Sequence, residues 1–178
     1  MIMRIIAGKL GGRTFQEPHG HKIHPMSEKV RGALFNALGD IAGLSVLDAF
    51  AGSGALSFEA ISRGAKQATA IDMDKNAYAA VKRSAKELGV EAKVKIVRAN
   101  AGSWSDNNSN KEFDVILLDP PYDDIRPDLL EKLAAHAKTG GVIVLSLPPR
   151  ANISLTSNLQ PLTSKSYGDA QLVFYRKK

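Results

Sequence analysis

Short apolar runs alternate with amphipathic stretches over most of the chain. The runs have the length of buried strands, and they cover residues 44–47, 67–71, 94–97, 113–118 and 142–147. Three stretches with apolar residues at helical spacing lie between them, at residues 55–63, 75–88 and 127–138. A glycine follows each of these stretches closely, as is typical of a helix end. Strands that alternate with helices predict an α/β fold, in which a parallel sheet carries helices on both faces.

Two hairpins and one further helix are predicted outside this alternating region. Residues 2–7 and 13–15 flank a glycine-rich turn and predict a small basic hairpin. The stretch 27–38 predicts a helix whose first residue, a serine, can cap it. Residues 163–167 and 170–175 predict a second hairpin, which would add an antiparallel edge to the sheet.

The length of 178 residues fits one domain with a substantial core. We predict a mixed seven-stranded Rossmann-like domain over residues 27–178 and an N-terminal basic hairpin extension over residues 1–26. Residues 103–111 are polar and rich in turn formers, so they predict an exposed loop that contains Trp104. Residues 150–161 show no periodicity and predict an irregular segment.

The net charge of +6 is concentrated at the two ends of the chain. Residues 1–31 carry six basic and two acidic residues, and residues 150–178 carry five basic and one acidic. Each end is therefore +4, and the middle of the chain is −2. Basic ends on a near-neutral core favour a surface that faces a polyanion such as a nucleic acid. A surface charge that only aids solubility explains the same distribution equally well.

Composition also limits the kinds of site that the chain can form. The sequence has no cysteine, which excludes disulfides and thiolate metal sites and fits a reducing cytoplasm. Neither a signal pattern nor an apolar run of membrane-spanning length occurs, so no membrane association is expected. The three histidines between residues 19 and 24 lack acidic neighbours at ligand spacing, so no metal site is predicted.

The first candidate site is the loop that follows the strand at 44–47. Asp48 ends that strand, and Gly52 and Gly54 would let the backbone approach a ligand at the start of the next helix. Asp72 ends the second strand and can accept both hydroxyl groups of a ribose. Asn100 ends the third strand and can accept a hydrogen bond from an adenine amine.

Three interpretations of this loop are open: S-adenosylmethionine, a dinucleotide, or a tight turn without a ligand. A dinucleotide site needs a third glycine, where this chain has Ser57. Asp48 would repel a pyrophosphate, whereas it can act, often through water, on the ammonium group of S-adenosylmethionine. The pattern therefore favours S-adenosylmethionine.

The second candidate site is Asp119-Pro120-Pro121-Tyr122, directly after the fourth strand. Two prolines end the strand and stiffen the turn, although an ordinary strand-ending turn would look the same. The Asp119 carboxylate and the Pro120 carbonyl can each accept an N–H bond from the amine of a nucleobase, which directs the nitrogen lone pair at a methyl donor. Tyr122 can stack on the target base. The two candidate sites follow neighbouring strand ends, where a methyl group and an amine can meet.

The motifs extend nearly from end to end and resemble those of the RsmD family. They are Arg4-Ile5-Ile6-Ala7-Gly8 with Gly12-Arg13, Val30-Arg31 with Leu34-Phe35-Asn36, the stretch 48–56, Glu59-Ala60 with 62–65, the stretch 119–122, and Tyr167-Gly168-Asp169. Members of this family are bacterial S-adenosylmethionine-dependent methyltransferases that modify the N2 amine of a guanine in 16S ribosomal RNA. The stretch 119–122 occurs in many amino-methyltransferases, whereas the first two elements are more selective.

The resemblance implies a class I methyltransferase fold and a substrate in the small ribosomal subunit or its assembly intermediate. We also expect the protein to be a cytoplasmic monomer. The implied catalytic residues are Asp119, Pro120 and Tyr122. The predicted cofactor-binding residues are Asp48, Phe50, Gly52, Gly54, Asp72, Met73 and Asn100. The residues predicted to contact RNA are Arg4, Lys9, Arg13, Lys29 and Arg31.

The chain departs from the family pattern mainly near its N-terminus. The family usually has Arg-Pro-Thr where this chain has His24-Pro25-Met26, and Glu where it has Gly32. Asn100 stands where Asp is usual, but its side chain still offers an acceptor to an adenine amine. These departures bear on RNA recognition more than on the chemistry.

Other functions share parts of the same motif logic. An adenine-N6 or cytosine-N4 DNA methyltransferase commonly carries a target-recognition domain, for which this chain has no room. A methyltransferase for a protein glutamine fits the basic ends less well. A catalytically inactive RNA-binding assembly factor is the alternative from a different class, and the intact motifs at 48–54 and 119–122 argue against it.

Overall fold

The computed structural model describes residues 1–20, 25–156 and 158–178. Its strands are β1 (Ile2–Arg4), β2 (Thr14–Gln16), β3 (Ser45–Asp48), β4 (Gln67–Asp72), β5 (Val94–Arg98), β6 (Phe113–Leu118), β7 (Ala137–Leu147), β8 (Leu159–Ser166) and β9 (Gln171–Lys177). Its helices are α1 (Glu28–Leu38), α2 (Ala55–Ser62), α3 (Lys75–Glu87), α4 (Ala101–Asn107) and α5 (Pro127–Ala134). The histidines at 21 and 24 lie outside the described residues.

Seven strands form one mixed sheet in the order β5-β4-β3-β6-β7-β9-β8. The first five of these pair in parallel, and β9 pairs antiparallel with both β7 and β8. The predicted mixed seven-stranded sheet is therefore confirmed. The chain runs outward from β3 in one direction and from β6 in the other, so the strand order switches between these two strands. Open α/β sheets bind their ligands at the carboxyl ends of the strands beside such a switch.

Alternate residues of the central strands bury into two apolar clusters, one on each face of the sheet. In β3, Val46 packs in the cluster that includes Phe58 of α2, while Leu47 packs in the cluster that includes Leu130 of α5. This arrangement explains why the central strands are continuous apolar runs, because both of their faces are covered. The predicted placement of helices on both faces is confirmed.

The N-terminal hairpin packs against the main core. β1 and β2 pair antiparallel as a separate two-stranded sheet. Met3 and Phe15 are buried, and the Phe15 ring lies edge-on to the Phe58 ring with 5.0 Å between centroids. Arg13 donates to the carbonyl oxygens of Glu87 and Leu88 at the end of α3, at 3.0 and 3.3 Å. The domain boundary at residue 26 stays a prediction.

The predicted exposed loop at 103–111 is wrong in its first half. Asn100 accepts a bond from the backbone N–H of Ser103 and begins helix α4, which ends at Asn107. Trp104 is 7% exposed and packs between the rings of Phe113 and His136. Packing of Trp104 therefore stabilises α4, although the sequence of this helix does not show apolar residues at helical spacing.

The predicted helix at 127–138 is too long. It ends after Ala134, and β7 begins at Ala137, which pairs with Phe113 of β6. The last strand hairpin also begins earlier than predicted, at Leu159. None of the helices over residues 1–20, 25–156 and 158–178 is both long enough and apolar enough to cross a membrane.

Candidate active site

A cavity of about 440 Å³ opens at the carboxyl ends of β3, β4 and β6. Parallel pairing places these ends side by side, because Asp48 lies opposite Ala70 of β4 and Leu117 of β6. The described residues that line the cavity come from four regions: 17–31, the β3–α2 loop, the ends of β4 and β5, and the segment from 119 to 129. The two sequence motifs thus meet in one space, as predicted.

Asp72 stands at the centre of the cofactor side of the cavity. One carboxylate oxygen accepts the backbone N–H of Gly52 and the other accepts that of Asp74, both at 2.9 Å. A carboxylate has about four acceptor positions, so two remain for a ligand such as a ribose diol. The same bonds fix the β3–α2 loop against the end of β4.

Gly52 and Gly54 of the β3–α2 loop are glycines for different structural reasons. Gly52 lines the cavity with φ of 54°, so a side chain there would strain the backbone. Gly54 has φ of 84°, and a Cβ would come within 2.8 Å of the Phe58 ring and 3.2 Å of Val81. Packing against α2 and α3 therefore requires a glycine at residue 54. Gly54 is not among the described residues that line the cavity, and its predicted contact with a ligand stays a prediction.

Asp48 is fully buried beneath this loop. One of its oxygens accepts the Ser57 hydroxyl at 2.7 Å, and the other has no hydrogen-bond partner among the described residues. Burial raises the pKa of Asp48 to about 7, the Ser57 bond opposes this rise, and the carboxylates of Asp119 and Asp72 add to it. An enclosed carboxylate with a free oxygen suits a cationic ligand group nearby.

The other predicted cofactor residues line the same cavity. Phe50 is partly buried, whereas Met73 is 63% exposed and offers apolar surface to a ligand. The side-chain oxygen of Asn100 caps α4 by accepting the N–H of Ser103 at 3.1 Å. Its second lone pair stays available for an adenine amine, which stays a prediction.

Asp119, Tyr122 and Ser146 form the second half of the site. The Tyr122 hydroxyl and the Ser146 hydroxyl lie 2.8 Å apart, and Ser146 on β7 is 2% exposed. Burial raises the pKa of Asp119 to about 6, while a hydrogen bond from Ser146 lowers it. Burial also raises the pKa of Tyr122, so its hydroxyl stays protonated at neutral pH. Its side chain is 40% exposed, which leaves part of the ring accessible.

The prolines hold the turn in place. Pro120 is buried, and Pro121 lines the cavity beside Asp119. The carbonyl oxygen of Pro121 accepts the N–H of Asp124 at 3.0 Å, which closes the turn after the motif. The predicted stiff turn at the mouth of the sheet is present.

The predicted RNA contacts fall into two separate groups. Arg4 and Lys29 are both exposed. Arg4 lies in a surface groove with Pro25 and Met26, which also line the cavity, and it pairs with Glu28 at 2.7 Å. Lys9 bonds through its backbone to the last residue of α2, and Arg13 bonds to the end of α3. Both of those helix ends lie at the opposite edge of the sheet from the cavity.

Arg31, the fifth of these residues, is not on the surface. Its side chain is 1% exposed, and it lines the cavity from α1. Burial lowers the pKa of Arg31, and the Glu59 carboxylate counteracts this effect.

Sequence reasoning missed several residues of the site. Ser146 lies inside an apolar strand, where a lone hydroxyl was the available signal. Glu17, Gly20, Pro25 and Met26 line one wall of the cavity, and no local pattern pointed to that contact. Arg126 and Leu129, at the start of α5, complete the opposite side.

The chemistry of the lining fits S-adenosylmethionine. Asp72 offers two acceptor positions, the unpartnered oxygen of Asp48 suits a cation, and apolar surface comes from Phe50, Met73 and Leu129. A glycine with positive φ provides close backbone approach at residue 52. A methyl donor held there would lie in the same cavity as Asp119.

Comparisons with known proteins agree with this interpretation. The family model described as Conserved hypothetical protein 95 matches residues 3–176. Ribosomal RNA small subunit methyltransferase D of Escherichia coli strain K12 is 35% identical over 131 residues, which cover 73% of this chain and 64% of that protein.

Solved structures share the fold. The candidate methyltransferase yhhF of Escherichia coli aligns with a TM-score of 0.88 and 27% identity over 100% of this chain and 99% of its own. A SAM-dependent methyltransferase from Thiobacillus denitrificans, solved with S-adenosyl-L-homocysteine, aligns with a TM-score of 0.60 and 26% identity over 71% of this chain and 51% of its own. The Rossmann-like methyltransferase fold predicted from the sequence is therefore confirmed. With its family model matched from residue 3 to residue 176, the chain belongs to the Conserved hypothetical protein 95 family, which is the RsmD family that its motifs resemble.

Proposed function

We propose that this protein transfers a methyl group from S-adenosylmethionine to the exocyclic N2 amine of a guanine in 16S ribosomal RNA. The substrate is presented within a small-subunit assembly particle. The observation that carries the proposal is that Asp119 and Asp72 face one cavity, so an amine acceptor and a ribose acceptor share a single space. The prediction of S-adenosylmethionine as cofactor is confirmed by the methyltransferase relatives.

The cofactor side of the cavity holds and orients the donor. Asp72 accepts the ribose hydroxyls while its bonds to Gly52 and Asp74 keep it fixed. Asp48 acts on the positively charged end of the ligand, by its field or through water, from beneath the loop. Asn100 accepts the adenine amine. When bound, S-adenosylmethionine supplies an electrophilic methyl group attached to a sulfonium.

The amine side of the cavity activates a poor nucleophile. The lone pair of a guanine N2 is delocalised into the ring, so the free amine attacks weakly. Asp119 and the Pro120 carbonyl each accept one N–H bond, which favours tetrahedral nitrogen and directs the lone pair towards the methyl group. One amine proton must leave once the new C–N bond has formed. A carboxylate with a pKa of about 6 can accept it at neutral pH.

Tyr122 holds the base in place. Its hydroxyl is fixed by Ser146 at 2.8 Å, so the ring is preorganised before the base arrives. Stacking of a nucleobase on an aromatic side chain contributes about 1–3 kcal/mol. The base must leave its surroundings to reach this ring.

The choice of ribosomal RNA rests on the family and on charge. The Escherichia coli relative is named for methylation of small-subunit ribosomal RNA. Arg4 lies in a surface groove with Pro25 and Met26, two residues that also line the cavity, and Lys29 is exposed on α1. Exposed basic side chains of this kind suit a phosphate backbone. The guanine N2 position comes from the family resemblance.

A methyl-transfer assay tests the proposal directly. Labelled S-adenosylmethionine is incubated with hypomethylated small subunits, and the labelled RNA is digested for mass spectrometry. We expect one N2-methylguanine in wild-type reactions and none with Asp119→Ala, while calorimetry shows that this variant still binds cofactor. Retained subunit binding without any transfer by the wild type would overturn the enzyme interpretation in favour of an assembly factor.

A further inference from the structure

Arg31 is a buried guanidinium that faces the cavity from α1. It is the largest side chain among those that are fully buried, at 1% exposure. Long cationic side chains are almost never buried to this extent unless they are paired. Arg31 is only partly paired, because two of its three guanidinium nitrogen atoms lack a hydrogen-bond partner among the described residues.

The guanidinium of Arg31 has donors without acceptors. Its Nη2 donates to the carbonyl oxygen of Arg4. Its Nε and Nη1 have no hydrogen-bond partner among the described residues. The Glu59 carboxylate lies 3.6 Å from Nε, which is beyond hydrogen-bond distance. Nη1 alone carries two N–H groups, so at least three N–H groups of Arg31, counting that of Nε, lack an acceptor among the described residues.

Glu59 is already occupied by other donors. It accepts the backbone N–H groups of Ile6 and Ala7 at 2.9 and 3.1 Å, and the Nε of Arg63 at 2.9 Å. Two guanidinium groups thus share one buried carboxylate. The cluster keeps a surplus positive charge, and Arg31 is the member of it that lines the cavity.

The rest of the cavity has the opposite charge. Five acidic residues line it, namely Glu17, Asp72, Asp74, Asp119 and Asp124. The other lining arginine, Arg126, is 59% exposed and pairs with Asp124 at 2.9 Å. Among the described lining residues, Arg31 is therefore the only buried cation.

We propose that Arg31 binds the α-carboxylate of the methionine end of S-adenosylmethionine. The ligand has two cationic groups and one anionic group, which matches an acidic cavity with one buried guanidinium. A phosphate of the RNA fits this position less well, because the polyanion would have to pass the five carboxylates to reach a side chain that is almost fully enclosed. The inference rests on the proposed function. It assigns a cofactor contact to a residue that was predicted from the sequence to contact RNA.

The experiment compares two ligands on two proteins. Calorimetry measures the affinity of the wild type and of Arg31→Met for S-adenosylhomocysteine and for its decarboxylated analogue. A hydrogen bond between charged groups predicts that the wild type binds the analogue about 10- to 100-fold more weakly. Arg31→Met should bind both ligands with about equal affinity. Methionine suits the test because Glu59 keeps three donors after the substitution.

Matched variants separate contact from folding. Arg126→Met removes the exposed arginine of the same cavity and should keep the wild-type ratio between the two ligands. Arg31→Lys keeps the charge and should give an intermediate ratio. This variant also supplies the measurement if the melting curve shows that Arg31→Met does not fold.

Three results would overturn the inference. One is a wild type that binds both ligands equally. Another is an Arg31→Met protein whose affinities for the two ligands fall by the same factor, which would mean that Arg31 has a structural role. The third is an unchanged ligand ratio in that variant together with weaker RNA binding, which would assign the guanidinium to a phosphate. A wild type that binds neither ligand would instead overturn the proposed function itself.

Discussion

The ionisation of Asp119 should set the pH below which methyl transfer fails. The proposed acceptor is the ionised form of Asp119, whose pKa is about 6. Above this pH the carboxylate accepts the amine protons, and below it the group is protonated and the acceptor is lost. For a pKa of about 6, about 90% of Asp119 is ionised at pH 7 and about 10% at pH 5. We expect the transfer rate at pH 5 to be about one tenth of the rate at pH 7.

Ser146→Ala should move this limit to higher pH. The Ser146 hydroxyl donates to the Asp119 carboxylate and lowers the pKa of that group. A hydrogen bond to a charged group contributes about 1.5 kcal/mol at the lower end of its range, which corresponds to about one pKa unit. The midpoint should therefore rise from about 6 to about 7. The variant would lose about half of its rate at pH 7 and almost nothing at pH 8.5.

The assay is single-turnover methyl transfer between pH 5 and 9 at saturating cofactor. Saturation matters because Asp48 has a pKa of about 7, and its titration should appear in cofactor binding. Tyr122→Phe is the control, since it removes the hydroxyl 2.8 Å from Ser146 but keeps the Ser146 bond to Asp119. That variant should not move the midpoint upward. Either of two results in Ser146→Ala would refute the proposal that ionised Asp119 accepts the amine protons. One is a loss of rate that does not depend on pH, and the other is an unchanged midpoint of the pH–rate profile.

Three further predictions concern cofactor, stability and RNA. Asp48→Asn should raise the free energy of unfolding at pH 8 by on the order of 2–4 kcal/mol and leave it unchanged at pH 3. The pKa of Asp48 is about 7 in the folded state and lies above the unfolded value, so the cost of ionising this buried carboxyl lowers the stability of the wild type more and more as pH rises from about 4 to 7. Urea titrations at pH 3 and pH 8 measure the two free energies of unfolding. Gly52→Val should weaken cofactor binding at least about 100-fold, because φ of 54° disfavours a β-branched residue, and normal calorimetric affinity would show that the loop does not hold the ligand. Lys29→Glu should lower the salt dependence of RNA binding by about 0.7 in log–log slope, whereas Lys9→Glu, at the opposite edge, should not; equal slopes for both would place the RNA elsewhere.

The parallel strands could be predicted because burial on both faces makes them continuous apolar runs. The acidic residues Asp48 and Asp72 each end such a run, so their meeting at one edge follows from the parallel order alone. The position of these two acidic residues at one edge of the sheet could therefore be predicted from the sequence. The turn at 119–122 adds two prolines, which mark the end of β6 without ambiguity.

The rest depends on contacts between residues that are distant in sequence. Trp104 stabilises α4 by packing on Phe113 and His136, and nothing within residues 101–107 shows this. Ala137 continues the helical spacing of α5, yet it pairs with β6 as a strand. A charged residue near the N-terminus suggests a surface, whereas Arg31 is enclosed by partners up to 28 residues away in the chain.

The strand order also bears on how the chain avoids aggregation while it is being synthesised. β8 follows β7 along the chain, but in the sheet β9 is the strand that pairs with the outer edge of β7. The apolar edge of β7 at 142–147 thus stays open until the chain has extended through residue 176, its last pairing partner. Such an edge is a template for pairing with another nascent chain. Once β9 is in place, the exposed side chains of β8, including Lys165, form an outer edge that discourages further strand addition.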